Sequence, residues 1–176
     1  MGFMNLLNKI ESSKVFKDFK EKNPDAELCA GFFVLDFLSN DTRETLDYKL
    51  EQGKKVFTFS LKGDDITFSE DELIESEGKP KLKKIKPSVN VEVEELKSIA
   101  GTKKLDEGLA SPMHKIIAVL QIHEHKSEEG QAEERQVWNL TCILDGLQIL
   151  HILVDSDSGQ IIKFEKKSMM DFIKKQ

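Results

Sequence analysis

The sequence predicts an α+β protein built as two small lobes in tandem, each with a helix packed on a four-stranded antiparallel sheet. Three observations predict this fold. Each half of the chain opens with a helical segment, each continues with short runs of β-forming residues between turns, and a lysine- and proline-rich stretch separates the halves. The chain has 176 residues, of which 39% are apolar, and can bury a core of this size. The predicted boundaries are 1–77 for the first lobe, 78–90 for a linker and 91–176 for the second lobe.

The first lobe begins with a predicted amphipathic helix over residues 3–22, because its apolar residues keep to one face while lysine and glutamate fill the other. Asn23-Pro24 ends this helix. Serine is a good N-cap, so Ser69 predicts a short acidic helix that reaches Glu77. Between these helices the sequence predicts four short strands, at 28–35, 46–50, 56–61 and 66–68.

The second lobe repeats this order of elements. A helix is predicted over 91–109, a polar hairpin loop over 124–134, and a short closing helix over 168–175. Asp155–Gly159 is predicted to form a hairpin turn held by hydrogen bonds to an aspartate side chain. The predicted strands of this lobe cover 115–122, 137–144, 149–154 and 160–164.

The two halves also correspond by position. Pro24 corresponds to Pro112, and Tyr48, the sole tyrosine, corresponds to Trp138, the sole tryptophan. Side-chain identity between the halves is slight. The predicted repeat therefore depends on the order of elements and on turn residues.

Several motifs in the second half resemble the PepSY domain family. The family's pattern is an aromatic-led strand, a strand that ends in aspartate, a small-residue turn with glycine, and a final strand. The segments that carry the resemblance are Trp138–Leu140, Asp145–Leu147, Ile149–Asp155 and Ser158–Ile161.

The resemblance implies a cystatin-like lobe in which a helix packs on an antiparallel sheet. It also implies a role in binding or restraining peptidases or other cell-envelope proteins, without catalysis and without a cofactor. The first half would be a degenerate copy, with Lys62–Asp65 in place of the turn that joins aspartate to glycine. Family members are usually exported, whereas this sequence shows no export signal.

Charge and composition narrow the class of protein. The formal net charge is −6, which is the opposite of what a general nucleic-acid binder carries. No apolar run approaches the roughly 18 residues that a membrane span needs. We therefore predict a cytoplasmic protein, in which the two cysteines, Cys29 and Cys142, are reduced core residues of apolar strands.

No catalytic signature is evident, and we predict neither a catalytic residue nor a bound metal. His123 and His125 lie two residues apart on a strand end and so point the same way, as zinc ligands can. A metal-dependent enzyme around His114, His123 and His125 is therefore an alternative. A solvated strand end is the preferred interpretation, because no third ligand has suitable spacing.

The lysine-rich segment suggests a second alternative. Lys79 to Lys86 carries five lysines, which could contact nucleic-acid phosphates. No aromatic residue is interleaved, and acidic residues at 70–77 immediately precede it. We therefore favour a solvated linker over a nucleic-acid site.

The preferred function is a non-catalytic regulatory module that binds a protein or peptide, with a peptidase as one candidate partner and self-association as another use of the same surface. Phe32 and Phe33 are adjacent and must face opposite sides of a strand, and Ile149–Val154 is apolar on both faces. Either the two sheets pack together or an interaction surface exists. The candidate surface residues are Phe32, Phe33, Tyr48, Trp138 and His151. For Tyr48 and Trp138, packing in the core is the favoured alternative.

Overall fold

The structure, a computed structural model, describes residues 1–39, 41–73 and 81–170. Within these ranges the chain forms three α-helices and one antiparallel sheet of eight strands. The helices are α1 (Phe3–Ser12), α2 (Lys14–Lys22) and α3 (Val93–Asp106). The strands are β1 (Glu27–Asp36), β2 (Arg43–Leu50), β3 (Lys55–Lys62), β4 (Asp65–Glu72), β5 (Met113–Lys126), β6 (Ala132–Leu144), β7 (Gln148–Asp155) and β8 (Ile161–Ser168).

The strand order is β4-β3-β2-β1-β5-β6-β7-β8. Each half of the chain forms a four-stranded meander, and the halves meet where β1 pairs with β5, with Phe32 opposite Val119 and Val34 opposite Ile117. The predicted α+β class and its antiparallel strands are confirmed. Main-chain hydrogen bonds join the strands of both halves in one continuous sheet. The division of the chain into two tandem lobes therefore stays a prediction.

All three helices pack on the same face of this sheet. Helix α1 buries Phe3, Leu6, Leu7 and Ile10, and α2 buries an aromatic pair that contacts β2 and β3. The sequence predicted one helix over 3–22, but the chain breaks at Ser13. That residue is extended and its hydroxyl accepts a hydrogen bond from Phe16 N–H, which makes it the N-cap of a second helix.

The described part of the predicted linker crosses the helical face of the sheet. Ile85 is buried, and its N–H donates to the carbonyl of Leu28. The side chain of Gln136 accepts a hydrogen bond from Lys86 N–H at 2.7 Å and donates one to the carbonyl of Ser88 at 3.0 Å. The main chain of 85–88 is therefore held against the sheet, although most of its side chains are exposed. Residues 78–80 lie outside the described residues.

Two segments, which the sequence predicted as a loop and as a helix, lie in strands instead. β5 and β6 extend through most of the predicted loop 124–134, because the polar side chains there pair across the hairpin, as His125 does with Glu133 at 3.2 Å. Ser69 lies within β4, where it pairs with Thr58, so the predicted helix does not begin there. Residues 70–72 of that predicted helix also lie in β4, and positions 74–77, like positions 171–175 of the predicted closing helix, lie outside the described residues. The predicted turn at Asp155 is confirmed, since its Oδ1 accepts hydrogen bonds from the N–H groups of Asp157 and Ser158.

Candidate interaction surface

The described helices pack on only one of the two faces of the sheet. The buried cluster joins the helices to one set of alternate strand residues, which includes Phe33, Leu46, Phe59, Leu120 and Leu140. The other set of alternate residues forms a second face, on which none of the described helices packs. We call it the open face. Its members on the central strands are Phe32, Val34, Ile117, Val119, Gln121, Val137, Asn139, Thr141, Ile143, Ile149, His151 and Leu153.

An apolar band crosses the middle of the open face. Phe32 and Val34 of β1 lie opposite Val119 and Ile117 of β5, and all four side chains are partly exposed. The solvent face of an antiparallel sheet is ordinarily polar. A contiguous group of exposed apolar side chains on such a face is characteristic of an interaction site.

The structure separates the five residues that the sequence proposed as a surface. Phe32 and His151 lie on the open face. Phe33, Tyr48 and Trp138 lie under the helices, with 1%, 2% and 0% of their surface exposed. Strand alternation requires one ring of the Phe32-Phe33 pair to point inward, and Phe33 does so, at 5.6 Å from the ring of Trp138. These three side chains are therefore not part of the open face.

Core packing, the favoured alternative for Tyr48 and Trp138, is confirmed. The Tyr48 hydroxyl donates to Glu11 at 3.0 Å, and burial raises the pKa of Tyr48. The indole N–H of Trp138 donates to the carbonyl of Val91 at 2.8 Å. Each ring thus buries its apolar body and satisfies its polar atom.

Beside the apolar band, the open face carries a shallow depression of about 230 Å³, and most of the residues that line it are polar or charged. We call it the β5–β8 depression. Its lining residues come from the four strands of the second half, and they are His123, Asn139, His151, Leu153, Lys163, Glu165 and Lys167. In register, His151 lies opposite Glu165 and Leu153 lies opposite Lys163.

Two lysines share one carboxylate at the rim of the β5–β8 depression. Glu165 lies 3.0 Å from the ammonium group of Lys163 and 3.9 Å from that of Lys167. Hydrogen bonding to Lys163 holds the pKa of Glu165 below its usual value. The carboxylate therefore stays ionised, and the rim has one positive charge in excess.

The two histidines of the depression are biased toward the neutral form. Burial lowers the pKa of His123, and the nearby His125 and Lys163 lower it further. Burial also lowers the pKa of His151, with Lys167 acting in the same direction and Glu165 opposing it. Near pH 7 both rings are neutral and can donate and accept hydrogen bonds.

A second depression, of about 610 Å³, lies on the helical side between the end of α2, the start of β1 and residues 84–87. Its apolar walls include Phe16, Leu28, Tyr48 and Ile85. The Tyr48 hydroxyl and the Glu11 carboxylate, which bond to each other, also line it.

The histidines proposed as metal ligands do not converge. His114 bonds to Asp145, whereas His123 lies nine residues further along the same strand, about 30 Å away at the usual rise per residue. The rings of His123 and His125 stack in parallel with centroids 6.3 Å apart. Among residues 1–39, 41–73 and 81–170, no group of three or more histidine, cysteine or acidic side chains is placed to hold a metal ion.

Two of the four described lysines of the 79–86 segment contact acidic side chains. Lys83 bonds to both Glu124 and Glu134, and Lys86 lies 3.5 Å from Asp157. Carboxylates so placed compete with phosphate for the same ammonium groups. Lys79 lies outside the described residues.

Sequence reasoning missed the polar residues of the β5–β8 depression. A usable signal was present in β6, where Asn139 and Thr141 alternate with buried apolar residues and so mark the second face of an otherwise apolar strand. The same alternation of Lys163, Glu165 and Lys167 along β8 places three charges on that face.

The fold has a counterpart among solved structures, although no family model and no curated protein matches this chain. A crystal structure of a putative lipoprotein from Clostridium difficile 630 superimposes with a TM-score of 0.54 at 16% identity. The similarity covers 87% of this chain and 90% of the other. At this identity the likeness extends to the fold alone, and the resemblance to PepSY domains stays a prediction.

No helix in the described part of the chain is both long enough and apolar enough to cross a membrane.

Proposed function

We propose that this chain is a non-catalytic binding module that holds an extended protein or peptide segment against the open face of its sheet. The observation that carries the proposal is the apolar band formed by Phe32, Val34, Ile117 and Val119, which lies partly exposed at the centre of the sheet. Water contact at these side chains is unfavourable, and a partner that covers them gains the corresponding free energy.

The shape of the open face favours an extended partner. The band and the adjoining β5–β8 depression lie side by side, since Val119 pairs with Asn139, which in turn pairs with Leu153. A segment lying across these strands can place apolar side chains on the band and polar groups in the depression. Peptide-binding surfaces commonly combine an apolar contact area with a few fixed polar groups.

The state of the cysteines supports binding rather than thiol chemistry. Burial raises the pKa of Cys29 to about 12, with Asp47 acting in the same direction, and burial raises that of Cys142 to about 12. A thiol must ionise to act as a nucleophile, so both side chains are suited to packing.

The resemblance to PepSY domains adds peptidases as the first partner class to test. A peptidase offers extended segments at its substrate-binding cleft and in its propeptide, and either could lie on a sheet face. Inhibition of a panel of purified endogenous peptidases by this protein tests that part of the proposal. A panel without inhibition or binding at micromolar concentration removes peptidases as partners.

A display selection with random extended peptides tests the binding function itself. Peptides recovered on the wild-type protein should bind with micromolar dissociation constants in calorimetry. They should lose at least tenfold in affinity on Val119→Arg, which places a charge in the apolar band. The matched control is Ser69→Arg, which adds the same charge to the same face at the exposed strand β4.

Thermal unfolding of Val119→Arg shows whether the variant is folded, and Val119→Thr provides a milder second variant of the same position. The four proteins to compare are the wild type, Val119→Arg, Val119→Thr and Ser69→Arg. Recovered peptides that bind all four with equal affinity would refute binding at the open face. A selection that yields no peptide of micromolar affinity would refute the binding function.

A further inference from the structure

The polar side chains of the β5–β8 depression make few hydrogen bonds to the rest of the described protein and are open to a ligand. In the described part of the chain, neither the amide of Asn139 nor the imidazole of His123 has a hydrogen-bond partner. The ring of His151 reaches only Thr141, through Nδ1, at the limiting distance of 3.5 Å. A ligand that replaces the water around such partly exposed groups gains most where its own bonds are charge-assisted.

The charges at the rim favour an anion. Lys163 and Lys167 share the single carboxylate of Glu165, which leaves one positive charge uncompensated. Arg135, the other cation near His123, already lies 3.7 Å from Asp155. A single excess charge matches a monoanion better than a dianion, because a doubly charged group would leave one of its own charges unpaired.

We propose that the β5–β8 depression binds a carboxylate group of the peptide that lies on the open face, with Lys163 and Lys167 as its charged partners and Asn139 and His123 as hydrogen-bond donors. The inference rests on the proposed function. The carboxylate is either the C-terminus of the partner or an acidic side chain. Leu153 lines the same depression and offers an apolar contact to the residue that carries the carboxylate.

Three synthetic peptides distinguish these sources. The first is acetyl-Val-Thr-Val-Leu with a free C-terminal carboxylate, the second is the same peptide with a C-terminal amide, and the third is acetyl-Val-Glu-Val-Leu amide. Inorganic phosphate is the fourth probe. Binding is followed by the imidazole signals of His123 and His151 in carbon-13 correlated NMR spectra of the full chain.

We expect one of the two carboxylate peptides to bind about tenfold more tightly than the neutral amide, which is the usual gain from a charge-assisted contact. The double variant Lys163→Gln and Lys167→Gln should remove this advantage. Lys62→Gln, on the open face of the other half, is the matched control and should leave the advantage unchanged.

Lower pH gives a second readout. Protonation of His123 and His151 adds positive charge, and the charged groups around them are His125, Arg135, Asp155, Lys163, Glu165 and Lys167. Both rings have a lowered pKa, so they gain their charge only in mildly acidic solution. Affinity for the carboxylate peptide should rise between pH 7.5 and about pH 5.5, whereas the affinity for the neutral amide should not.

The outcomes separate the two proposals. Equal affinity for the neutral and carboxylate peptides refutes the carboxylate site and leaves peptide binding at the open face intact. Binding of phosphate with no binding of any peptide refutes the carboxylate assignment. Absence of binding by every probe refutes the carboxylate site, and it refutes both proposals when the selection experiment also yields no peptide.

Discussion

Glu92 accepts a hydrogen bond from the main-chain N–H of Phe3 at 2.7 Å, which ties the first turn of α1 to the residue that caps α3. Its other carboxylate oxygen accepts from Met4 N–H at 3.1 Å. Gly2 permits this approach, because a Cβ there would lie 2.8 Å from Glu92 Oε2. One carboxylate therefore satisfies two free N–H groups at the start of α1, and it belongs to the N-cap residue of α3 in the other half of the chain.

Replacing Glu92 should destabilise the whole molecule. Glu92→Ala removes the acceptors of two α1 N–H groups and the side chain of the residue that begins α3, so we expect the free energy of unfolding to fall by about 2 kcal/mol. Urea unfolding followed by circular dichroism measures the change. Glu94→Ala is the matched control, because it removes an exposed acid from the same turn. Equal losses in the two variants would show that Glu92 acts only through charge near the helix end.

The carboxyl group of Asp47 should cost stability at neutral pH. Burial raises the pKa of Asp47, a hydrogen bond with Thr58 opposes the rise, and Asp71 adds to it. A carboxyl with a raised pKa in the folded state destabilises that state once the pH exceeds its unfolded pKa. Below that pKa the group is protonated in both states and the cost disappears.

Asp47→Asn should therefore raise the free energy of unfolding at pH 7 by about 1 kcal/mol, and this gain should vanish near pH 3. Urea unfolding of both proteins at the two pH values provides the measurement. A variant that is less stable than the wild type at pH 7 would contradict the expected sign.

Both cysteine thiols should be unreactive in the folded protein. Cys29 and Cys142 are buried, and burial raises the pKa of each to about 12. The thiolate is the reactive species, so a disulfide reagent at pH 8 should react with the denatured chain at both positions and with the native chain only as fast as it unfolds. Rapid native labelling would contradict the burial of these residues.

Much of the fold could be predicted from the sequence, because the patterns that indicate helices, strands and turns each lie within a short stretch of the chain. Alternating apolar residues and turn residues predict each of the eight described strands, with ends that differ from the observed ones by at most five residues, and helical periodicity predicts the helical segments of 3–22 and of α3. The pairing of β1 with β5 could not be predicted, since it joins residues about ninety positions apart. The break at Ser13 was signalled by an adjacent serine pair, but the apolar face of the helix concealed it.

The candidate site was predictable only in part. Alternation required Phe32 and Phe33 to face opposite sides, but which of them points inward depends on the position of Trp138 and α1. The β5–β8 depression draws on four strands, and its lysines and histidines become neighbours only through sheet register. Single-sequence patterns place side chains on a face but do not specify which strands lie together.

Methyl NMR of the protein, labelled at isoleucine, valine and leucine, tests most directly whether the open face is the surface that binds peptides. Acetyl-Val-Thr-Val-Leu, as the free acid and as the amide, is titrated into the full chain. We predict that shifts concentrate on the methyl groups of Val34, Ile117 and Val119, while those of Leu140 and Ile152 beneath the helices stay unchanged. Shifts confined to the helical side, or none at saturating peptide, would contradict the account.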